Sequence, residues 1–116
     1  MDERLEKALD FSNYMVTLSN QKRLLAEKYQ EELLHFYNGS QFTITRELIT
    51  FVSTMVHAEQ DEIIITDDNG IPCMVEDLSV FYGHIMDIYT TSSNDYHTQY
   101  LKLKQSRSVE KLVNYE

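Results

Sequence analysis

Residues 62–77 read EIIITDDNGIPCMVED. They hold the only Pro of the chain, Pro72, its only Cys, Cys73, one of its three Gly, Gly70, and the β-branched run Ile63–Thr66. Asn69-Gly70 between two apolar runs is the strongest short-range hairpin signal, because both central positions of a type I′ turn need φ > 0. The segment therefore predicts a β-hairpin at about 62–76, with strands at Ile63–Thr66 and residues 71–75 around a turn of Asp67, Asp68, Asn69 and Gly70. Pro72 has no N–H to give to a ladder, which puts the second strand on a sheet edge.

On either side the pattern is helical. Residues 2–37 contain neither Gly nor Pro. Phe11, Met15, Leu18, Lys22, Leu25, Tyr29, Glu32 and Phe36 alternate in steps of four and three, the rhythm of a coiled-coil seam, with Lys22 and Glu32 interrupting it. Leu24, Leu33, Leu34 and Tyr37 widen the apolar face, and Asn38-Gly39-Ser40 reads as the stop of a helix reaching Tyr37. Thr17, Leu18, Ser19 and Asn20 are its poorest helix formers and the place for a break. Left unbroken, such a helix spans about 54 Å, against a diameter of roughly 35 Å for a compact domain of this length. Its overhanging apolar residues then need a cover, which a second copy of the chain supplies.

Gln41 to Thr45 reads as a short strand or an extended lead-in. Thr45 caps a helix over 46–59 with Leu48, Ile49, Val52, Met55 and Val56 on its apolar face. Asp77 caps a last helical region whose face is Leu78, Phe81, Ile85, Ile88 with Tyr89, Tyr96, Tyr100 and Leu103. Residues 90–95 are poor in helix formers, with Ser92 and Asp95 at capping-box spacing, so a break is open there. Residues 106–108 are expected to end this helix, followed by a short turn over 109–113.

A length of 116 residues suits one domain, residues 1–116, with a modest core. Eight Tyr and five Phe without Trp suit half-buried surfaces and interfaces, since a Tyr hydroxyl must stay wet or paired. A lone Cys excludes an internal disulfide and fits a reducing compartment. The charged start lacks the apolar stretch of a signal peptide, and no run is long enough to span a membrane, so a soluble cytoplasmic protein is expected. The net charge of −9 is concentrated in residues 38–76, where seven acids meet one base. Duplex nucleic acid is bound through Lys and Arg on phosphate, so this balance argues against generic DNA binding.

Four sets of residues invite chemistry. Asp67, Asn69, Gly70 and Glu76 fall where an EF-hand loop places two oxygen ligands, its glycine and its closing glutamate. Its first ligand position, which requires Asp, is Ile65, and Pro72 sits inside the loop. Of the four His (His35, His57, His84, His97), His57 with Asp61 and His84 with Asp87 have the spacing of one helix face. Two such pairs would approach a carboxylate–histidine bundle site, but the chain has no Glu-x-x-His. Cys73 lies in an apolar β-branched setting and reads as an inert thiol. Lys102, Lys104, Arg107 and Lys111, with Tyr96 and Tyr100 upstream, form a basic stretch that suits a solvated helix end, a nucleic acid or the acidic middle of a neighbouring subunit. No catalytic, metal or cofactor-binding residue is assigned, and no cofactor is expected.

These readings predict an α-rich α+β fold: long N-terminal helix, second helix, one hairpin and long C-terminal helical region. The order helix–hairpin–helix resembles that of a prefoldin subunit in architecture, without a shared motif and with no residue carried over. Prefoldin-type chains have cleaner heptads at both ends and nothing like the helix over 46–59. In composition the chain resembles the small acidic accessory proteins of tailed phages. The function expected first is a non-enzymatic interaction or assembly protein acting as a homo-oligomer, with a protein partner open. Two alternatives belong to other classes. One is a small metal-dependent enzyme using His57, His84 and nearby acids. The other is a nucleic-acid-linked regulator acting through the basic tail or by an acidic surface imitating DNA.

Overall fold

The computed structural model describes residues 2–115 and, of their side chains, those of residues 2–105. In chain order the elements are α1 (Glu3–Glu32), β1 (Leu34–Tyr37), β2 (Ser40–Thr43), α2 (Arg46–His57), β3 (Ile63–Thr66), β4 (Pro72–Val75) and α3 (Leu78–Tyr115). The fold is α-rich α+β with long helices at both ends. It has two antiparallel hairpins in place of the one expected from the sequence. No helix among the described residues is long and apolar enough to cross a membrane.

The unexpected hairpin is β1–β2. α1 passes unbroken through residues 17–20 but stops at Glu32, short of Tyr37. The Leu33 N–H closes the last turn on the Tyr29 and Gln30 carbonyls at 3.2 and 3.3 Å, and the Leu33 carbonyl then accepts from the Ile44 N–H at 2.8 Å. From there Leu34 pairs with Thr43, His35 with Phe42, Phe36 with Gln41 and Tyr37 with Ser40. Asn38 (φ 48°) and Gly39 (φ 81°) supply the two positive φ values of a two-residue hairpin turn. Asn38-Gly39-Ser40 is therefore a hairpin turn and not a helix stop. The extended chain puts His35 and Tyr37 on one face, where both rings lie 5.7 Å from that of Phe81. A helix would turn these two residues away from each other.

The hairpin expected from the sequence is β3–β4, pairing Ile63 with Val75, Ile64 with Met74, Ile65 with Cys73 and Thr66 with Pro72. Its turn is of another kind. Only Gly70 (φ 78°) is left-handed there; Asn69 is not. The buried Asp67 is the cause: its Oδ1 accepts the N–H groups of Asn69 and Ile71, each at 2.9 Å, an Asx arrangement that sets the backbone by itself.

Asp68 ties the two hairpins together. Its N–H donates to the Gln41 carbonyl at 2.9 Å. Its carboxylate accepts from the Thr43 N–H (3.0 Å), the Thr43 hydroxyl (2.6 Å) and the Gln41 amide (3.1 Å). At the other end the Glu76 N–H donates to the Tyr37 hydroxyl at 3.3 Å.

α2 begins as the sequence predicts, with the Thr45 hydroxyl accepting the Leu48 N–H at 3.1 Å. It ends in a Schellman arrangement, Gln60 N–H to the Met55 carbonyl and Glu59 N–H to the Val56 carbonyl. The left-handed position is filled by Glu59 (φ 61°) where a Gly is usual. α3 starts at Asp77, whose carboxylate accepts the Val80 N–H at 3.3 Å. It runs unbroken past residues 90–95 and past 106–108, taking in the separate turn expected over 109–113. Ser92 is buried on the apolar face, and Ser93 Oγ lies 2.7 Å from the Tyr29 hydroxyl, so packing holds the helix-poor segment. Two Ser at residues 106 and 108 cost a helix already in progress only a few tenths of a kcal/mol each.

The chain packs as two compact units. One comprises residues 29–94. Both hairpins turn an inward face to its core: Phe42 and Ile44 from the first, Ile65, Cys73 and Val75 from the second. Leu33 after α1, Val52 of α2 and Leu78, Phe81 and Ile85 of α3 complete it. The other comprises residues 1–28 with 95–116, the arms of α1 and α3. Lys22 lies 5.9 Å from the Tyr100 ring centre and Lys28 3.6 Å from Asp95, so the arms run antiparallel. Leu18 is the buried residue of the expected α1 seam.

Candidate functional site

The residues with chemical potential are scattered. His57 ends α2, where its Nδ1 donates to the Ser53 carbonyl at 2.7 Å. Asp61 is exposed in the loop beyond, and its carbonyl accepts the Leu78 N–H. His84 and Asp87 are exposed on α3, and His97 is exposed on the arm. Among the described residues no group of three or more His, Cys, Asp or Glu is arranged to hold a metal ion. Of the calcium-like set, the Asp67 carboxylate already accepts from Asn69 and Ile71 and Glu76 is exposed, while the neighbouring Asp68 carboxylate accepts from Thr43 and Gln41. Cys73 is buried on the inward face of β4 opposite Ile65.

One pairing escapes the sequence reading. The rings of His35 and His84 lie 6.0 Å apart, edge to face. His35 Nε2 is buried without a hydrogen-bond partner among the described residues. Burial first, and then the neighbouring His84, pull the His35 imidazole below the ordinary histidine range. Once Asn38-Gly39 is read as a hairpin turn, strand alternation alone turns His35 inward.

Charge divides sharply between the units. Residues 29–94 carry eleven acids against the single base Arg46, a net −10, whereas residues 1–28 with 95–116 carry eight acids and nine bases, a net +1. Two surfaces express this division. On the outward face of β3–β4, Ile64 and Met74 stand directly opposite each other, 61% and 44% exposed. Just beyond the last ladder pair, Ile63 with Val75, come Glu62 and Glu76, both exposed. Neither carboxylate has a basic partner among the described residues.

The second surface lies between the helical arms. It is an open groove of about 470 Å³ with Leu24, Leu25 and Leu103 on its walls and Lys28 and Lys102 at its rim. Lys102 and Lys104 are exposed, while the side chains of Arg107 and Lys111, from the same basic stretch, lie outside the described residues.

No protein family, curated protein or solved structure matches this chain.

Proposed function

We propose that this chain is a non-enzymatic assembly protein that associates with further copies of itself through its helical arms. The observation that carries this reading is the surface of α1, where Leu5, Leu9, Phe11, Met15, Val16 and Leu24 are all exposed. Phe11 and Met15 lie one turn apart on the heptad positions read from the sequence, 44% and 37% exposed. Leu5, Leu9 and Val16 fall within about 40° of one another around the helix at its usual pitch, on another side. A stripe of this kind costs free energy in water and is covered most simply by the same stripe of a second copy. The metal-dependent alternative needs His57, Asp61, His84 and Asp87 in one site; His57 ends α2 and Asp61 lies in the loop after it, while His84 and Asp87 lie on α3, and among the described residues no group of three or more such ligands forms.

Light scattering after size exclusion tests the reading. A dimer or larger species is expected, and the Leu9→Glu, Val16→Glu double variant should reduce it. A monomer of 13.7 kDa at micromolar concentration rules it out.

A further inference from the structure

We propose that the outward face of β3–β4 docks into the groove between the helical arms of a second copy, so that the chain assembles face to groove. The inference rests on the self-association reading and adds a second contact to it.

The argument begins with two carboxylates. Glu62 and Glu76 flank the last ladder pair, Ile63 with Val75, and neither has a basic partner among the described residues. Two like charges at one end of a short hairpin repel. Their own unit has one basic side chain, Arg46, to offer. Beside them Ile64 and Met74 leave an apolar pair in water. The ligand that fits is a concave apolar surface with ammonium groups at its edge, which relieves both the repulsion and the exposure.

The same chain carries such a surface. Leu24, Leu25 and Leu103 line the arm groove, and Lys28 and Lys102 stand at its rim. Lys28 is already within 3.6 Å of Asp95, whereas Lys102 has no acidic partner among the described residues. The two surfaces are therefore complementary in both apolar character and sign of charge. A contact between unlike surfaces leaves a free face on one copy and a free groove on the other, so it continues into a ring or a chain of copies.

Charge reversal tests this directly. Glu62→Lys with Glu76→Lys makes both surfaces basic, and Lys28→Glu with Lys102→Glu makes both acidic. Each double variant alone should lose mass in sedimentation by roughly twofold or more, because like-charged surfaces are now juxtaposed. Mixed in equal amounts, the two should recover the wild-type assembly, since each presents the surface that the other has lost. Recovery also shows that both variants are folded. A chain with all four reversals should assemble by itself. Wild-type assemblies that both reversals leave intact, or reversed chains that do not recover on mixing, would overturn the inference and leave the arm-stripe reading standing. A wild-type monomer would overturn both.

Discussion

His35 is held in a place suited to a neutral ring. Its Nε2 is buried and unpaired among the described residues, and the His84 ring stands 6.0 Å away, so a proton on His35 meets both lost hydration and a second imidazole. A histidine whose folded-state affinity for protons is depressed contributes its full stability above the unfolded value, about 6.5. That contribution is lost as the pH falls from there through the lower folded-state value, because the unfolded chain then binds the proton more readily. Denaturation midpoints should therefore hold level above the ordinary histidine value, about 6.5, and decline as the pH falls below it. His35→Phe should flatten that decline; a variant with the unchanged slope would assign it to other groups. Asp68 acts in a separate, more acid window. Burial raises its proton affinity, but the Thr43 and Gln41 hydrogen bonds outweigh this and hold the carboxyl below its ordinary value. Its share of stability is present above the usual carboxylate range and is lost as the pH falls through the lower folded value.

The elements depend on three glycines in two opposite ways. Gly39 and Gly70 are left-handed, while Gly83 lies within α3, and an added Cβ would meet nothing within 4 Å at any of them. Conformation alone then decides the sign. Gly39→Ala and Gly70→Ala should each destabilise by roughly 1 kcal/mol or more, the cost of an L side chain at positive φ. Gly83→Ala should stabilise by up to about 1 kcal/mol through helix propensity. Thermal unfolding of the three variants checks all three signs. Equal effects at the three positions would remove the left-handed turns from the account. The same elements mark how far the sequence could be read. Thr45, Asp77 and the β3–β4 pairing were legible because caps and strand alternation are local signals. The β1–β2 hairpin was not, because LLHFY continues the α1 heptad as well as it forms a strand. The choice is made by Phe81, more than forty residues away, whose ring receives His35, Tyr37 and Phe42. The acidic middle third was visible in composition, but the meeting of Glu62 and Glu76 with the exposed Ile64–Met74 pair at one hairpin needed the register.

At the scale of the molecule, the net charge of −9 conceals two unlike parts, −10 on residues 29–94 and +1 on the rest. Eleven acids around a small core repel one another, and this repulsion opposes folding of that unit. Salt shortens its reach, from a Debye length of about 10 Å at 0.1 M to about 3 Å at 1 M. Salt should equally weaken a docked contact between acidic face and basic groove, so the two effects have opposite signs. The Lys28→Glu, Lys102→Glu chain separates them, because it keeps all eleven acids of the unit in place and lacks the contact. Its Tm should rise by several degrees as KCl increases from about 0.02 to 0.5 M, a gain of roughly 0.5–1 kcal/mol. Over the same range the mass of the wild-type assembly should fall. A Tm that drops with salt in the reversed chain would mean that attractive pairs outweigh repulsion within the molecule, and the acidic unit would then need no partner to relieve it.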